Sequence, residues 1–183
     1  MPQASARLFL ALWPDASDAE RLVQLAAAVV ARQGGRACQA TNIHLTLAFL
    51  GDVPCERIPI LVTALAEIRF KPFRLCLDQL LAWPRQHIAW AGCQQTPAEL
   101  LLLVSRLHEV LAEQAFKFDR THASFTPHLT LVRNLTSAGQ PQVITPPITW
   151  CCEHFSLVSA QLGSGGSVYR SLATFSAKSG NIF

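Results

Sequence analysis

Two stretches of this chain combine residue types and spacing that could do chemistry. They are His44-Leu45-Thr46-Leu47 and His128-Leu129-Thr130-Leu131, one tetrapeptide at two places. The copies begin 84 residues apart (128 minus 44), close to half of the 183-residue chain, so the spacing suggests two related units. Each copy alternates a polar residue with a leucine. On a β-strand that alternation sends His and Thr to one face and both leucines to the other. Same-face neighbours then stand roughly 6.5–7 Å apart, so an imidazole and a hydroxyl can reach one small anion together. Two such strands facing each other would supply two imidazoles and two hydroxyls.

Histidine changes charge near neutral pH, so a pair can provide one acid and one base in a single reaction. Displacement at phosphorus needs the entering and leaving oxygens roughly in line, so acid and base must stand on opposite sides of the phosphate. Two units related by an approximate two-fold axis meet that need with one His each. Threonine hydroxyls can donate to the non-bridging oxygens. A 2′,3′-cyclic phosphate suits the set, because the ribose oxygen is both leaving group and tether and the attacking water needs only a base. No metal or cofactor is required by such a set, and the sequence contains no H-E-x-x-H, P-loop or G-x-S-x-G motif. Two other readings use the same residues. One is a module that captures cyclic-phosphate ends of RNA without turnover. The other is a metal-dependent hydrolase built on His44, His128 and His122, against which stands the lack of a carboxylate beside either motif.

Hydrophobic periodicity and turn signals supply the elements that must position these residues. RLFLALW at 7–13 reads as a buried strand closed by Pro14. Asp15 or Ser17 can cap a helix from Ala16 to about Arg32, with Leu22, Leu25, Ala26 and Val29 on its apolar stripe and Gly34-Gly35 at its end. The first repeat strand is expected over 42–50, stopping at Gly51-Asp52. A helix over 54–68 and a hairpin of strands 73–81 and 87–93 follow. A helix over 97–116 carries the clearest stripe, Leu100, Leu103, Val104, Leu107, Val110 and Leu111. The second repeat strand is expected over 127–133, then a loop over 134–147, one strand over 148–160, a turn at 163–167 and a last strand. The order β-α-β-α-β-β then α-β-β-β predicts an α+β fold, with a lobe boundary at 94–97. His87, His108 and His154 are assigned to structure, and His122 precedes the second motif. Trp83, Trp90, Tyr169 and Phe125 can stack on a base, although packing is the commoner role of such residues.

Half of the residues are hydrophobic and 15% are charged, which excludes disorder. A net charge of +3, from 15 Lys and Arg against 12 Asp and Glu, suits a phosphate ligand without marking a coat for long duplexes. Six cysteines at 38, 55, 76, 93, 151 and 152 contain no C-x-x-C pair and read as reduced thiols of a cytoplasmic protein. The N-terminal apolar run reads as a strand rather than a signal peptide, and no run is long enough to span a bilayer.

Taken together, H-L-T-L-A-F-L-G at 44–51, P-H-L-T-L-V-R at 127–133 and R-L-F-L-A-L at 7–12 resemble the 2H phosphoesterases. Within them the chain is similar to the bacterial and archaeal RNA 2′,3′-cyclic phosphodiesterase group, historically called 2′-5′ RNA ligases. The resemblance spans essentially the whole chain. It implies that residues 1–183 form a single bilobal α+β domain. Two pseudo-symmetric lobes of mainly antiparallel sheet, with helices outside, would flank a central cleft, one H-x-T motif in each. It also implies metal-independent, cofactor-free opening of RNA 2′,3′-cyclic phosphate ends to 2′-phosphates, with reverse 2′-5′ joining in some members. His44 and His128 would be the catalytic pair, and Thr46 and Thr130 the phosphate-binding hydroxyls. The expected roles are His128 as base on water and His44 as acid toward the 3′ oxygen, although the symmetry of the repeat admits the reverse. Arg133 stands where the group carries a phosphate-binding arginine. Strict alternation from His128 puts residue 133 on the opposite face, so that role needs a bulge or a strand end. Phe49 occupies the corresponding offset of the first copy, so an arginine clamp is expected on one side only. The expected substrate is an RNA or oligonucleotide with a 2′,3′-cyclic phosphate, or a small cyclic nucleotide. The protein is expected to act as a monomer without a membrane.

Overall fold

The computed structural model describes residues 4–119, 125–163 and 166–178. Among the described residues, nine strands form one sheet, and every recorded pairing is antiparallel. The strands are β1 (Ser5–Leu12), β2 (Arg36–Ala37), β3 (Leu45–Pro54), β4 (Phe73–Trp83), β5 (Ile88–Gly92), β6 (His128–Arg133), β7 (Gln142–Cys152), β8 (His154–Gly163) and β9 (Gly166–Ser176). The order across the sheet is β7-β4-β5-β6-β3-β1-β8-β9, with β2 beside β6. The class is α+β, as the element pattern predicts.

Helices α1 (Ala16–Gln33), α2 (Ile58–Ala66) and α3 (Ala98–Glu113) form where the apolar residues recur at helical spacing. Asp15 caps α1 by accepting from the Asp18 amide at 2.8 Å, and the Gly34 amide closes its other end on Val30. Its stripe buries Leu22, Ala26 and Val29, whereas Leu25 is only half-buried. All six stripe residues expected for α3 are buried. Helix α1 packs on β6 and β7, while α2 and α3 pack on the β3 and β9 side. One contiguous core, from Leu8 and Leu10 in β1 to Phe155 and Leu157 in β8, ties these layers together.

Five expectations need correction. Strand β3 does not stop at Gly51-Asp52, because Gly51 takes a positive φ of 70° at an irregularity in the β1 pairing and the strand runs on to Pro54. Helix α2 begins at Ile58, after a short 3-10 turn over Cys55–Arg57. The expected 134–147 loop yields to strand at Gln142, and the single strand expected over 148–160 breaks at Glu153. On either side of that break the chain serves opposite ends of the sheet: β7 pairs with β4, and β8 pairs with β1.

The fifth correction concerns the boundary at 94–97. The β3–β6 junction divides the sheet, and each side mixes both halves of the sequence. Strands β1 and β3 lie with β8 and β9, and strands β4 and β5 lie with β6 and β7. Chain halves and sheet halves are therefore different divisions.

Candidate active site

The two repeat strands are neighbours in the sheet, and they meet at Leu45 opposite Leu129. Each of these is the residue between the His and Thr of its motif. Extended one step either way, the antiparallel register sets His44 across from Thr130 and Thr46 across from His128. The four polar residues share one face, with the histidines on a diagonal. In regular antiparallel pairing such a diagonal spans roughly 7–8 Å, enough to straddle a phosphate group. On the opposite face Leu45 and Leu129 are fully buried, so burial locks the register.

Both strands break their alternation at the same offset from the histidine. Along β1, Ala11 faces Thr46 and Leu10 faces Ala48, so Leu47 is skipped. Along β5, Trp90 faces Thr130 and Ala89 faces Val132, so Leu131 is skipped. In each case two successive residues are buried, Leu47 with Ala48 and Leu131 with Val132. The next residue then returns to the polar face. Those returning residues are Phe49 and Arg133, and both line the cleft. The bulge that the position of Arg133 demanded is thus present. The cleft wall carries an arginine on the side of each motif. Arg7 of β1 lies over the Phe49 ring, 5.0 Å from its centroid, and lines the same cleft.

His44, Thr46, His128, Thr130 and Arg133 all line this cleft, whose volume is ≈ 630 Å³. Arg7, Arg36 and Cys38 join them, and none of the described lining residues is acidic. An adjoining groove of ≈ 760 Å³ shares Thr46, Phe49 and His128 and continues past Trp83, Phe125 and His108. His87 turns away, its Nδ1 lying 3.1 Å from the Leu135 carbonyl, and His154 lines neither space. His122 lies outside the described residues.

The histidines are held in the same way. Nδ1 of His44 lies 2.8 Å from the Asn42 carbonyl, and Nδ1 of His128 lies 2.9 Å from the Thr126 carbonyl, each two residues back. A carbonyl can only accept, so Nδ1 carries the proton and donates, and Nε2 is left with a lone pair for the cleft. Their surroundings differ. The His44 ring stacks on Trp13 at 5.0 Å and meets Phe9 at 5.0 Å and Tyr169, edge-on, at 5.2 Å. His128 meets the Trp83 ring edge-on at 4.6 Å, with Trp90 at 6.0 Å. Burial pushes the His44 imidazole down to about 4, and nearby Arg133 and His128 add to the push while the Asn42 carbonyl opposes it. Burial also raises the Cys38 thiol despite Arg133 and Arg36, so this cysteine stays protonated beside the cleft.

The sequence singled out Tyr169, Trp83 and Trp90 only as base-stacking candidates, and Arg7, Arg36, Phe9 and Trp13 not at all as site residues. Each belongs to a strand or strand end that is remote in sequence from the motif it serves. Strand pairing brings them there: β1 with β3, β2 with β6, β4 with β5, β5 with β6 and β8 with β9.

Comparison with known proteins adds an independent line. The LigT like Phosphoesterase family matches residues 12–90, a span that includes the first motif. The RNA 2′,3′-cyclic phosphodiesterase of Escherichia coli K12 is 33% identical over 170 residues, which cover 91% of this chain and 93% of that protein. The enzyme of the same name from Archaeoglobus fulgidus is 27% identical over 180 residues, covering 92% and 99%. Among solved structures, E. coli LigT in complex with 3′-AMP superposes with a TM-score of 0.87 at 28% identity, covering 96% of this chain and 99% of that one.

Proposed function

Given that this chain belongs to the LigT-like phosphoesterases, within the 2H superfamily, we propose that it is an RNA 2′,3′-cyclic phosphodiesterase that opens the cyclic phosphate to a 2′-phosphate with His44 and His128 as its acid–base pair. The single observation that carries the reading is the Leu45–Leu129 register, from which two imidazoles on a diagonal and two hydroxyls on one sheet face follow. RNA is the substrate class named for the relatives, and one of the similar structures holds a nucleoside monophosphate.

The reaction needs a water in line with the bond from phosphorus to O3′. Nε2 of His128 takes the proton from that water as its oxygen bonds to phosphorus. The bond to O3′ breaks, and Nε2 of His44 gives a proton to the departing oxygen, leaving a 3′-hydroxyl and a 2′-phosphate. Thr46 and Thr130 donate to the non-bridging oxygens, and Arg133 answers their charge. With imidazolium, guanidinium and hydroxyls in place, the reaction asks for no metal ion. With a 5′-hydroxyl in place of water, the same in-line step forms the bond from O5′ to phosphorus as the bond to O3′ breaks, which joins 2′-5′ ends and leaves a 3′-hydroxyl.

In the free cleft His44 is neutral at pH 7, because its imidazole is held at about 4. The acid role therefore requires that it gain its proton as the phosphate anion arrives. The Trp13, Phe9 and Tyr169 rings around it present π surfaces that favour the cation once water has been displaced. Phosphate binding and proton uptake are then one event.

We further take the chain to work as one bilobal unit and as a monomer of the cytoplasm. A sheet that runs unbroken through both motifs supports the first point, and six free thiols fit a reducing compartment. Among the described residues, no helix is long and apolar enough to cross a membrane. The reading is tested by product analysis on a short RNA ending in a 2′,3′-cyclic phosphate, with EDTA present. A 2′-phosphate product supports it, and an unchanged substrate or a 3′-phosphate product contradicts it.

A further inference from the structure

Among the described residues three arginines line the cleft, whereas a cyclic phosphate carries one negative charge. Their surroundings tell them apart. Arg7 lies over the Phe49 ring, 5.0 Å from its centroid, so its guanidinium has a partner within the fold. Arg133 follows the second motif and returns to its polar face at the bulge. Arg36 is the unexplained one. It is exposed; among the described residues it stacks on no ring, and none of the three arginines has an ion-pair partner.

Arg36 stands directly opposite Arg133 in the β2–β6 pairing. Like charges in directly opposed positions of an antiparallel pair destabilise it. The chain nonetheless spends specific structure on this contact. Strand β2 is only two residues long, and Gly35, at a φ of 94°, turns the chain into it. The Cys38 amide donates to the Leu131 carbonyl at 2.8 Å, on the other side of the strand. A Cβ on Gly35 would come within 2.7 Å of the Arg133 carbonyl oxygen, so the approach is close as well as repulsive. A repulsive pair kept in a closely fitted corner of a cleft marks a site where an anion is to be held.

We propose that Arg36 binds the phosphodiester on the 5′ side of the terminal nucleotide, next to the cyclic phosphate held by Arg133, and so selects RNA chains over cyclic mononucleotides. The inference rests on the proposed function and narrows its substrate class. Directly opposed Cβ atoms lie about 4.5–5.5 Å apart. Two long guanidinium side chains on that base can fan out to the spacing of successive phosphates. A mononucleotide has no second phosphate to offer Arg36, and an oligonucleotide has.

The test compares kcat/KM on a trinucleotide ending in a 2′,3′-cyclic phosphate with kcat/KM on 2′,3′-cyclic AMP, over a salt series, for the wild type and for Arg36→Gln and Arg36→Lys. In the wild type, log kcat/KM for the trinucleotide should fall with log salt more steeply than for the mononucleotide, by about 0.7 for the one extra phosphate contact. Arg36→Gln should lose roughly tenfold more on the trinucleotide than on the mononucleotide. It should also abolish the difference in slope, and Arg36→Lys should restore the slope in part. Equal losses on both substrates, or equal wild-type slopes, would overturn the assignment of Arg36 while leaving the enzyme reading intact. A wild-type protein that turns over neither substrate would instead refute the function on which the inference rests.

Discussion

His44 and His128 share a motif, a backbone hydrogen bond and an orientation, but His44 alone is held inside a three-ring cage. Two measurable consequences follow from its imidazole at about 4, against an ordinary 6.5. The first concerns stability. As pH falls from 6.5 toward 4 the unfolded chain takes up a proton that the folded cleft refuses, so stability declines through that window and the contribution of this group levels off below it. The midpoint of thermal unfolding should therefore fall more steeply between pH 7 and pH 5 in the wild type than in His44→Gln. The second concerns binding. If His44 gains its proton with the phosphate, calorimetric titration with a nucleoside 2′-phosphate in buffers of different ionisation enthalpy should report more proton uptake by the wild type than by His44→Gln, and affinity should weaken as pH rises. Equal uptake by both proteins would keep His44 neutral in the complex and make it the base, with His128 as the acid. For the threonines, Thr46→Val or Thr130→Val removes one hydroxyl donor to a charged oxygen. Such a bond is worth about 1.5–3 kcal/mol, so kcat/KM should drop on the order of 10- to 100-fold with little change in KM for either strand's partner.

At the scale of elements, the bulges that follow each motif decide which side chains reach the cleft. Period-two alternation was legible for His44 to Thr46 and for His128 to Thr130, and helical periodicity located α1 and α3, because these signals lie within a few residues of each other. A skipped residue such as Leu131 is set by its partner strand, since Trp90 and Ala89 of β5 determine where β6 slips. Nothing in PHLTLVR by itself says that Arg133 comes back to the polar face. The break at Glu153 was likewise invisible, because ITWCCEHFSLVSA is apolar and strand-like throughout while its two parts bond to β4 and β1. Strand β2, two residues long, gives no pattern at all. Its importance can be tested at Gly35, which combines a φ of 94° with a Cβ position 2.7 Å from the Arg133 oxygen. Gly35→Ala should cost about 1–3 kcal/mol from the backbone conformation alone. It should lower the melting temperature by several degrees and weaken binding of the cyclic-phosphate substrate, as read from KM.

At the scale of the whole molecule, the two-fold repeat of HLTL is real in the sheet but does not divide the chain. Strands β4 and β5 from the first half flank the second motif, and β8 and β9 from the second half flank the first. The element pattern made the fold class legible, yet the exchange of strands was not, because antiparallel pairing between remote segments leaves no local trace in sequence. Residues 1–95 and 96–183 expressed separately should therefore fail to give cooperative unfolding transitions, whereas co-expression should restore a folded, active complex. Two independently folded fragments would contradict this topology. The exchange also explains how one cleft can have walls from both motifs while a single core beneath, with Leu45 and Leu129 both fully buried, keeps them in register. The claim at the centre of this account is that the diagonal histidines act as one acid–base pair on a cyclic phosphate. The most direct measurement is single-turnover cleavage of an RNA ending in a 2′,3′-cyclic phosphate, in EDTA, by the wild type, His44→Ala and His128→Ala. The account predicts a 2′-phosphate product and a loss of about 10²–10⁴-fold for each alanine variant with its folding intact. Wild-type rates in either variant, or abolition of activity by the chelator, would contradict it.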